Sequence, residues 1–300
     1  MKVYRSFYLI ALFIFIVSLA CSFGGSPIIQ AGSPSASQGL MFGGKGTDPG
    51  LFNDVRGLAV NPSTGAIVAA DYHDGRVQAF DPNGKFLTQW IMPGGKSAII
   101  TGMAGDSSGN VYIVTGGNIM LYDSTGQLKT TITVPDLYIN NVALMSDGNL
   151  VAATAQDETI IKLSPDGKVL STITNAFSAN DGSTELDMTV AVDSAGNIFV
   201  LGSFNNAVFK FSPDGKFISH FGSAGDVAGQ FSAPEAIAVD NSGKVYVSDL
   251  KGIQVFDGDG HYLSLINVDG VARRIAFDSQ NQLYFTSSKN QVFKINVPKS

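Results

Sequence analysis

The chain is poor in the residues that most often carry chemistry. Its 300 residues include one cysteine, one tryptophan and three histidines. A lone thiol, Cys21, excludes an internal disulfide, so stability has to come from packing. Charged residues make up only 15% of the chain, 19 basic against 25 acidic, and no run of Lys or Arg occurs. An acidic balance without a basic stripe repels phosphate backbones, which excludes general nucleic-acid binding. The one Gly-x-Ser-x-Gly, Gly105-Asp106-Ser107-Ser108-Gly109, falls in a Gly turn between two apolar strands rather than at a strand-to-helix elbow, so the usual nucleophile setting is missing. What is abundant is apolar material and turns. Hydrophobic residues reach 44%, with 34 glycines and 20 phenylalanines. That composition supports a large core of short strands and argues against disorder.

The first residues are set apart from the rest. Lys2 and Arg5 precede an apolar run from Phe7 to Val17, which ends in Ser18-Leu19-Ala20-Cys21. A positive start, a short apolar stretch and small residues before a cleavage point make an export signal over 1–20. The run falls short of the roughly 20 apolar residues that a spanning helix needs. Residues 21–38 are rich in Gly, Ser and Pro and read as a tether. Cys21 at the junction resembles the lipidated cysteine of bacterial lipoproteins, implying an extracytoplasmic protein held to the membrane by this anchor alone. Ser18-x-Ala20 also suits ordinary signal peptidase, which leaves secretion as a soluble protein open. Without Lys2 and Arg5 the balance is 17 basic against 25 acidic, a net charge of −8.

From residue 39 onward one phrase recurs: an apolar stretch, a polar residue, a Gly turn, an apolar strand, a gap, another strand and a tight turn. It is clearest from Phe231 to Leu263 and from Phe52 to Leu87. The residue closing the first strand is read as Asn61, Asp106, Ser146, Asp193, Asp240 and Asp278, at intervals of 38–47 residues. The first turn falls at Gly65, Gly109, Gly148, Gly196, Gly243 and Asn281. A second turn falls at Asn83-Gly84, Thr125-Gly126, Asp166-Gly167, Asp214-Gly215 and Asp259-Gly260, where Gly permits the positive φ of a two-residue hairpin. Each unit therefore holds four short antiparallel strands. Their interiors are apolar on nearly every residue, as in sheets covered on both faces. Sheets set radially about an axis cover one another. The last copy stops after three strands, and residues 39–44 form an orphan fourth, so pairing the two closes a ring and hides an edge. The expected fold is all-β, a six-bladed β-propeller of four-stranded antiparallel blades over 39–300, closed by an N-terminal strand.

These phrases resemble the NHL repeat, whose pattern runs Phe-x-x-Pro-x-Gly-Ile-Ala-Val-Asp, Gly-x-Val-Tyr-Val-x-Asp, Arg-Val-Gln-Val-Phe-Asp-x-x-Gly. The copies at 52–87 and 231–263 match well, and those at 97–136 and 137–177 are weak. The resemblance implies the propeller and little about activity. His220 falls on a peripheral strand and His261 in a turn, so the multi-histidine zinc site that the resemblance associates with amidating lyases is not expected. Lactonase propellers of similar build place Glu and Asn or Asp at innermost strand starts around a divalent metal. Asn141, Asp187 and Glu235 suit that pattern, whereas Arg56 stands where an acid is wanted. The recurring Phe80, Phe209, Phe211 and Phe256 read as blade core, and the lone Trp90 on an outer strand gives little support to glycan binding.

Propeller ligands bind at a channel mouth. The residues before the innermost strands are expected to ring it: Arg56, Thr101, Asn141, Met188, Glu235 and Arg273. The loops after the second strands are expected to add Asp71, Tyr72, His73, Thr115, Asp157, Glu158 and Asp249. Arginines facing carboxylates in a concave mouth suit an anionic or zwitterionic small molecule or a peptide end. The candidate ligand-binding residues are thus Arg56, Asp71, Tyr72, Asn141, Glu235, Asp249 and Arg273. The bland reading is that the charges pair among themselves and only keep the mouth wet. A monomeric binding or scaffold propeller without cofactor or metal, taking a protein, peptide or small ligand, is the leading expectation. A divalent-metal hydrolase, lactonase or lyase at the channel is the alternative. Intact-mass measurement of the mature protein checks the N-terminus: a diacylated Cys21 is expected, and an unmodified terminus there means secretion without an anchor.

Overall fold

The computed structural model describes residues 39–297, apart from 155–157 and 181. The signal, the tether and Cys21 therefore lie outside the described residues, as does Asp157. Strand β1 is Leu40–Gly43. The first blade is β2 Val55–Val60, β3 Ile67–Asp71, β4 Arg76–Phe80 and β5 Phe86–Ile91. The second is β6 Ile100–Gly105, β7 Val111–Thr115, β8 Asn118–Tyr122 and β9 Leu128–Ile132. The third is β10 Ile139–Leu144, β11 Leu150–Thr154, β12 Ile160–Leu163 and β13 Val169–Ile173. The fourth is β14 Met188–Val192, β15 Ile198–Gly202, β16 Ala207–Phe211 and β17 Phe217–Phe221. The fifth is β18 Ala236–Val239, β19 Val245–Asp249, β20 Gly252–Phe256 and β21 Tyr262–Ile266. The last is β22 Ala272–Phe277, β23 Gln282–Ser287 and β24 Gln291–Asn296. Strand β1 completes it, pairing antiparallel with β24 from Leu40↔Lys294 to Gly43↔Gln291.

Six blades of four antiparallel strands thus form the ring, with innermost strands meeting their neighbours all the way round, β22 against β2 included. Six apolar clusters fill the six spaces between blades. In the space that closes the ring, Phe52 and Phe80 of the first blade pack against Tyr284 and Val292 of the last. Second and third strands are buried along both faces, whereas the outermost strands are largely exposed.

The turns account for the repeat. Gly65, Gly109, Gly148, Gly196 and Gly243 have φ between 73° and 86°, and Asn281 takes the same place at 60°, the left-handed region that Gly and Asn tolerate. At the second turn only the Gly of each pair has positive φ. There Gly84 N–H donates to Asp81 O, Asp81 Oδ1 accepts from Asn83 and Lys85 N–H, and the register slips between Ala79 and Phe80. That is a type I turn followed by a Gly bulge, not the two-residue primed turn expected. The third copy also needs correction. Met145, not Ser146, closes its first strand, because Met145 N–H donates to Asn149 O as Asp106 N–H does to Asn110 O. One residue of slip sends side chains to the opposite face.

Closure makes a specific demand on Phe42, whose ring lies 4.7 Å from Phe80. Met41 on the same strand is 54% exposed. Phe42→Ala is expected to cost about 3 kcal/mol and Met41→Ala no more than about 0.5 kcal/mol, read from denaturant midpoints. Equal costs contradict closure by this strand.

Candidate functional site

Each innermost strand starts at the same end of the channel, and in the first, second, third and last blades it starts with a β-bulge. The register shifts fall between Val55/Gly57, Ile100/Gly102, Ile139/Asn141 and Ala272/Arg274. The skipped residues are Arg56, Thr101, Asn140 and Arg273. A bulge leaves one residue out of the ladder and re-aims its side chain. All four line a cavity of about 440 Å³ at the mouth, together with Tyr72, Asp187, Met188 and Glu235. The ring expected from sequence is therefore assembled, with Asn140 at the bulge position and Asn141 also lining the cavity. Asn141 lies one layer deeper, and its Oδ1 accepts from Val190 N–H of the next blade at 3.2 Å.

Of the loop residues expected at the mouth, Tyr72 lines the cavity, whereas Asp71, His73, Thr115, Glu158 and Asp249 do not. Asp71 and Asp249 are fully buried in the walls, where they hold loops. Asp71 accepts from Asn53 and Asp54 N–H and pairs with Arg76 at 2.8 Å. Arg76 also donates to the carbonyls of Gly46, Thr47 and Leu51. Asp249 accepts from Ser232 N–H, Lys251 N–H and the Gln254 amide. Glu158 and Glu185 do the same work on the other side of the ring. Glu185 accepts from Leu186, Asp187, Phe204 and Asn205 N–H. Such carboxylates answer backbone donors that loops otherwise leave unpaired.

The charges that remain at the mouth are mostly paired. Arg56 bonds Asp54 through Nε and Nη2 at 3.0 Å and stacks on the Tyr72 ring, its guanidinium carbon 4.5 Å from the centroid. Arg273 bonds both oxygens of Glu235 at 3.1 Å. Arg274 carries no mark in the repeat pattern. Its guanidinium reaches past the first blade, with Nη2 donating to Thr101 O at 2.9 Å and Nη1 to Arg273 O at 2.7 Å. No acid lies in ion-pair range of it among the described residues. Desolvation by burial lowers its pKa, opposed by the charges of Asp187 and Glu235, while Arg56 lowers it further. Three buried polar atoms of the lining also lack partners: Thr101 Oγ1, Asn140 Oδ1 and Arg273 Nε.

A divalent metal at the innermost strand starts fits these residues poorly. The acceptor oxygen of Asn141 is bonded to a backbone amide, both oxygens of Glu235 are held by Arg273, and three guanidinium groups surround the space. No group of three or more His, Cys, Asp or Glu side chains suited to a metal occurs among the described residues. Below the mouth the channel is lined by Leu58, Met103, Val190, Ile237 and Ile275, with Ser146, Asp193, Asp240 and Asn241 also in its wall.

Fold and mouth together define a six-bladed β-propeller with a polar, arginine-bearing channel entrance. A family model, DUF5128, described as a 6-bladed beta-propeller, matches residues 187–296. Solved structures of the same shape are numerous. One is a gluconolactonase from Xanthomonas campestris, 19% identical, with a TM-score of 0.64 over 81% of this chain and 86% of that one. A putative gluconolactonase is 17% identical, with a TM-score of 0.67 over 87% and 93%. A virginiamycin B lyase from Staphylococcus aureus is 13% identical, with a TM-score of 0.61 over 87% and 99%. At these identities the likeness is one of fold. A search for curated relatives by sequence finds none.

Glu158 supplies a pH test of the loops that frame the mouth. Burial opposes its ionisation, but donors from Ser178, Glu185 and Phe177 outweigh this and hold its pKa below the usual range. A folded pKa below the unfolded one gives stability that is present above the unfolded value, about 4.3, and lost as pH falls through the folded value. Glu158→Gln is expected to cost about 1–3 kcal/mol at pH 7 and to flatten the fall in stability below about pH 4.3. An unchanged acid limb contradicts the assignment.

Proposed function

We propose that this chain is a non-enzymatic binding propeller, exported and tethered at its N-terminus, that takes a small ligand into the arginine-bearing mouth. The observation that carries the reading is the set of unpartnered buried polar atoms on one cavity, Thr101 Oγ1, Asn140 Oδ1 and Arg273 Nε. An unmet buried polar atom costs about 1–3 kcal/mol, and three around one space suit a guest that meets them. The cavity, about 440 Å³, has the size of a small-molecule site. Among the described residues no histidine or cysteine lines it, and these are the commonest bases and nucleophiles.

The direction of the chain adds to the reading. Strand β1 pairs with β24 so that Leu40 lies beside Lys294, whose Nζ contacts Pro82 O in a turn at the far end of the channel. The described chain thus enters the ring at the end of the channel opposite the mouth. The like-built loops of Phe52 and Phe231, each bonded by a glutamine, Gln78 or Gln254, support an NHL-type repeat.

A second reading, hydrolysis or lyase chemistry, draws support from the names of the similar structures, gluconolactonase and streptogramin B lyase among them. The two separate by experiment. On the binding reading, a small-molecule fraction of cell extract raises the melting temperature of the mature protein and not that of Thr101→Trp. Elemental analysis then finds no stoichiometric divalent metal, and lactones are not turned over. Metal at one equivalent, with lactone hydrolysis lost in Glu235→Gln, overturns the binding reading.

A further inference from the structure

The ligand class can be narrowed from the charges that the mouth leaves over, an inference that rests on the binding reading above. Three arginines face the cavity, but two are neutralised: Arg56 by Asp54 and Arg273 by Glu235. The third, Arg274, donates only to two backbone carbonyls. A guanidinium carries five N–H donors in a planar fork and binds carboxylates in preference to carbonyls. One carboxylate of the lining is likewise left over. Asp187 has no ion pair among the described residues and is held in place through its backbone, its N–H on Glu185 Oε1 and its O accepting from Ser203 N–H. The mouth therefore presents one unpaired cation and one unpaired anion, and its formal charge sums close to zero.

A plain anion would gain Arg274 but meet Asp187 and Glu235, and a plain cation would meet the reverse. The remaining lining is mixed in the same way. Arg273 Nε is a donor, Asn140 Oδ1 an acceptor, and Thr101 Oγ1 serves as either. Apolar contact is at hand in Met188 and in Phe204, which is 68% exposed while lining the cavity. We propose that the mouth recognises a small zwitterion, an amino acid or short peptide with an apolar side chain, whose carboxylate meets Arg274 and whose ammonium meets Asp187. Phe204 and Met188 then cover the apolar side chain. Arg274 and Asp187 act as binding residues, and no covalent step is involved.

Calorimetric titration of the mature protein tests this with L-leucine, L-leucyl-L-leucine, isopentylamine and 4-methylpentanoate. The last two keep the apolar body of leucine and carry only one of its charges. The expected result is binding of leucine or of the dipeptide at least tenfold tighter than either singly charged compound. Whichever of the two binds better distinguishes a free amino acid from a peptide. Arg274→Gln and Asp187→Asn are each expected to weaken it at least tenfold, Asp187→Asn with unchanged melting temperature. Asp187→Asn should also raise the relative affinity for 4-methylpentanoate. Binding of 4-methylpentanoate as tight as leucine, unaffected by Asp187→Asn, overturns the zwitterion and leaves a simple anion site. Binding of none of the four also overturns it. The wider binding reading then stands or falls on the Thr101→Trp thermal-shift result, so the two failures remain distinct.

Discussion

A four-stranded sheet with two apolar faces is unstable alone in water, and every blade of this chain is such a sheet. Its neighbours on both sides must cover it, so the order in which blades meet is set by burial rather than by any one contact. Six interfaces with six separate apolar clusters follow from that requirement. At the sixth interface β1 completes the last sheet, and Phe42 meets Phe80 beside Phe52, Tyr284 and Val292. With one cysteine in the chain, no covalent link shares this task.

The same geometry makes the mouth. Innermost strands converge at one end, and bulges at four of their starts turn Arg56, Thr101, Asn140 and Arg273 into the channel. The loops above them would be loose without anchors. Buried carboxylates, Asp71, Glu158, Glu185 and Asp249, hold those loops by accepting backbone N–H groups. The acids of the wall and the acids of the cavity thus have different work. Wall acids satisfy the chain, while Glu235 and Asp187 face the open space.

The glycine positions made the fold legible, because a turn that demands positive φ restricts its residue type, and the same demand recurs in every blade. Asn281 shows that the signal survives where glycine does not, since asparagine tolerates the same region. The weak third copy has no Asp to align, so its register is one residue earlier than the sequence pattern suggests, and Asn140 joins Asn141 at the mouth. Bulges leave no composition mark, so which residue of each strand start faces the channel was hidden. Asp71 and Asp249 sit in loops on the mouth face, but their side chains turn inward to backbone amides, which no sequence pattern marks. Arg274 was hidden for a related reason. It follows Arg273 on an inner strand, and its reach to Thr101 depends on blades that are distant in sequence.

The central claim is that the mouth keeps polar groups open for a guest rather than for one another. A crystal structure of the mature protein, purified from its own cells without dialysis against competing solutes, tests it most directly. The account predicts density for a bound small molecule that bridges Arg274 and Asp187 and touches Thr101, Asn140 and Arg273. A mouth in which Arg274 swings to pair with Asp187 or Glu235, with every lining polar atom satisfied inside the protein, would contradict it.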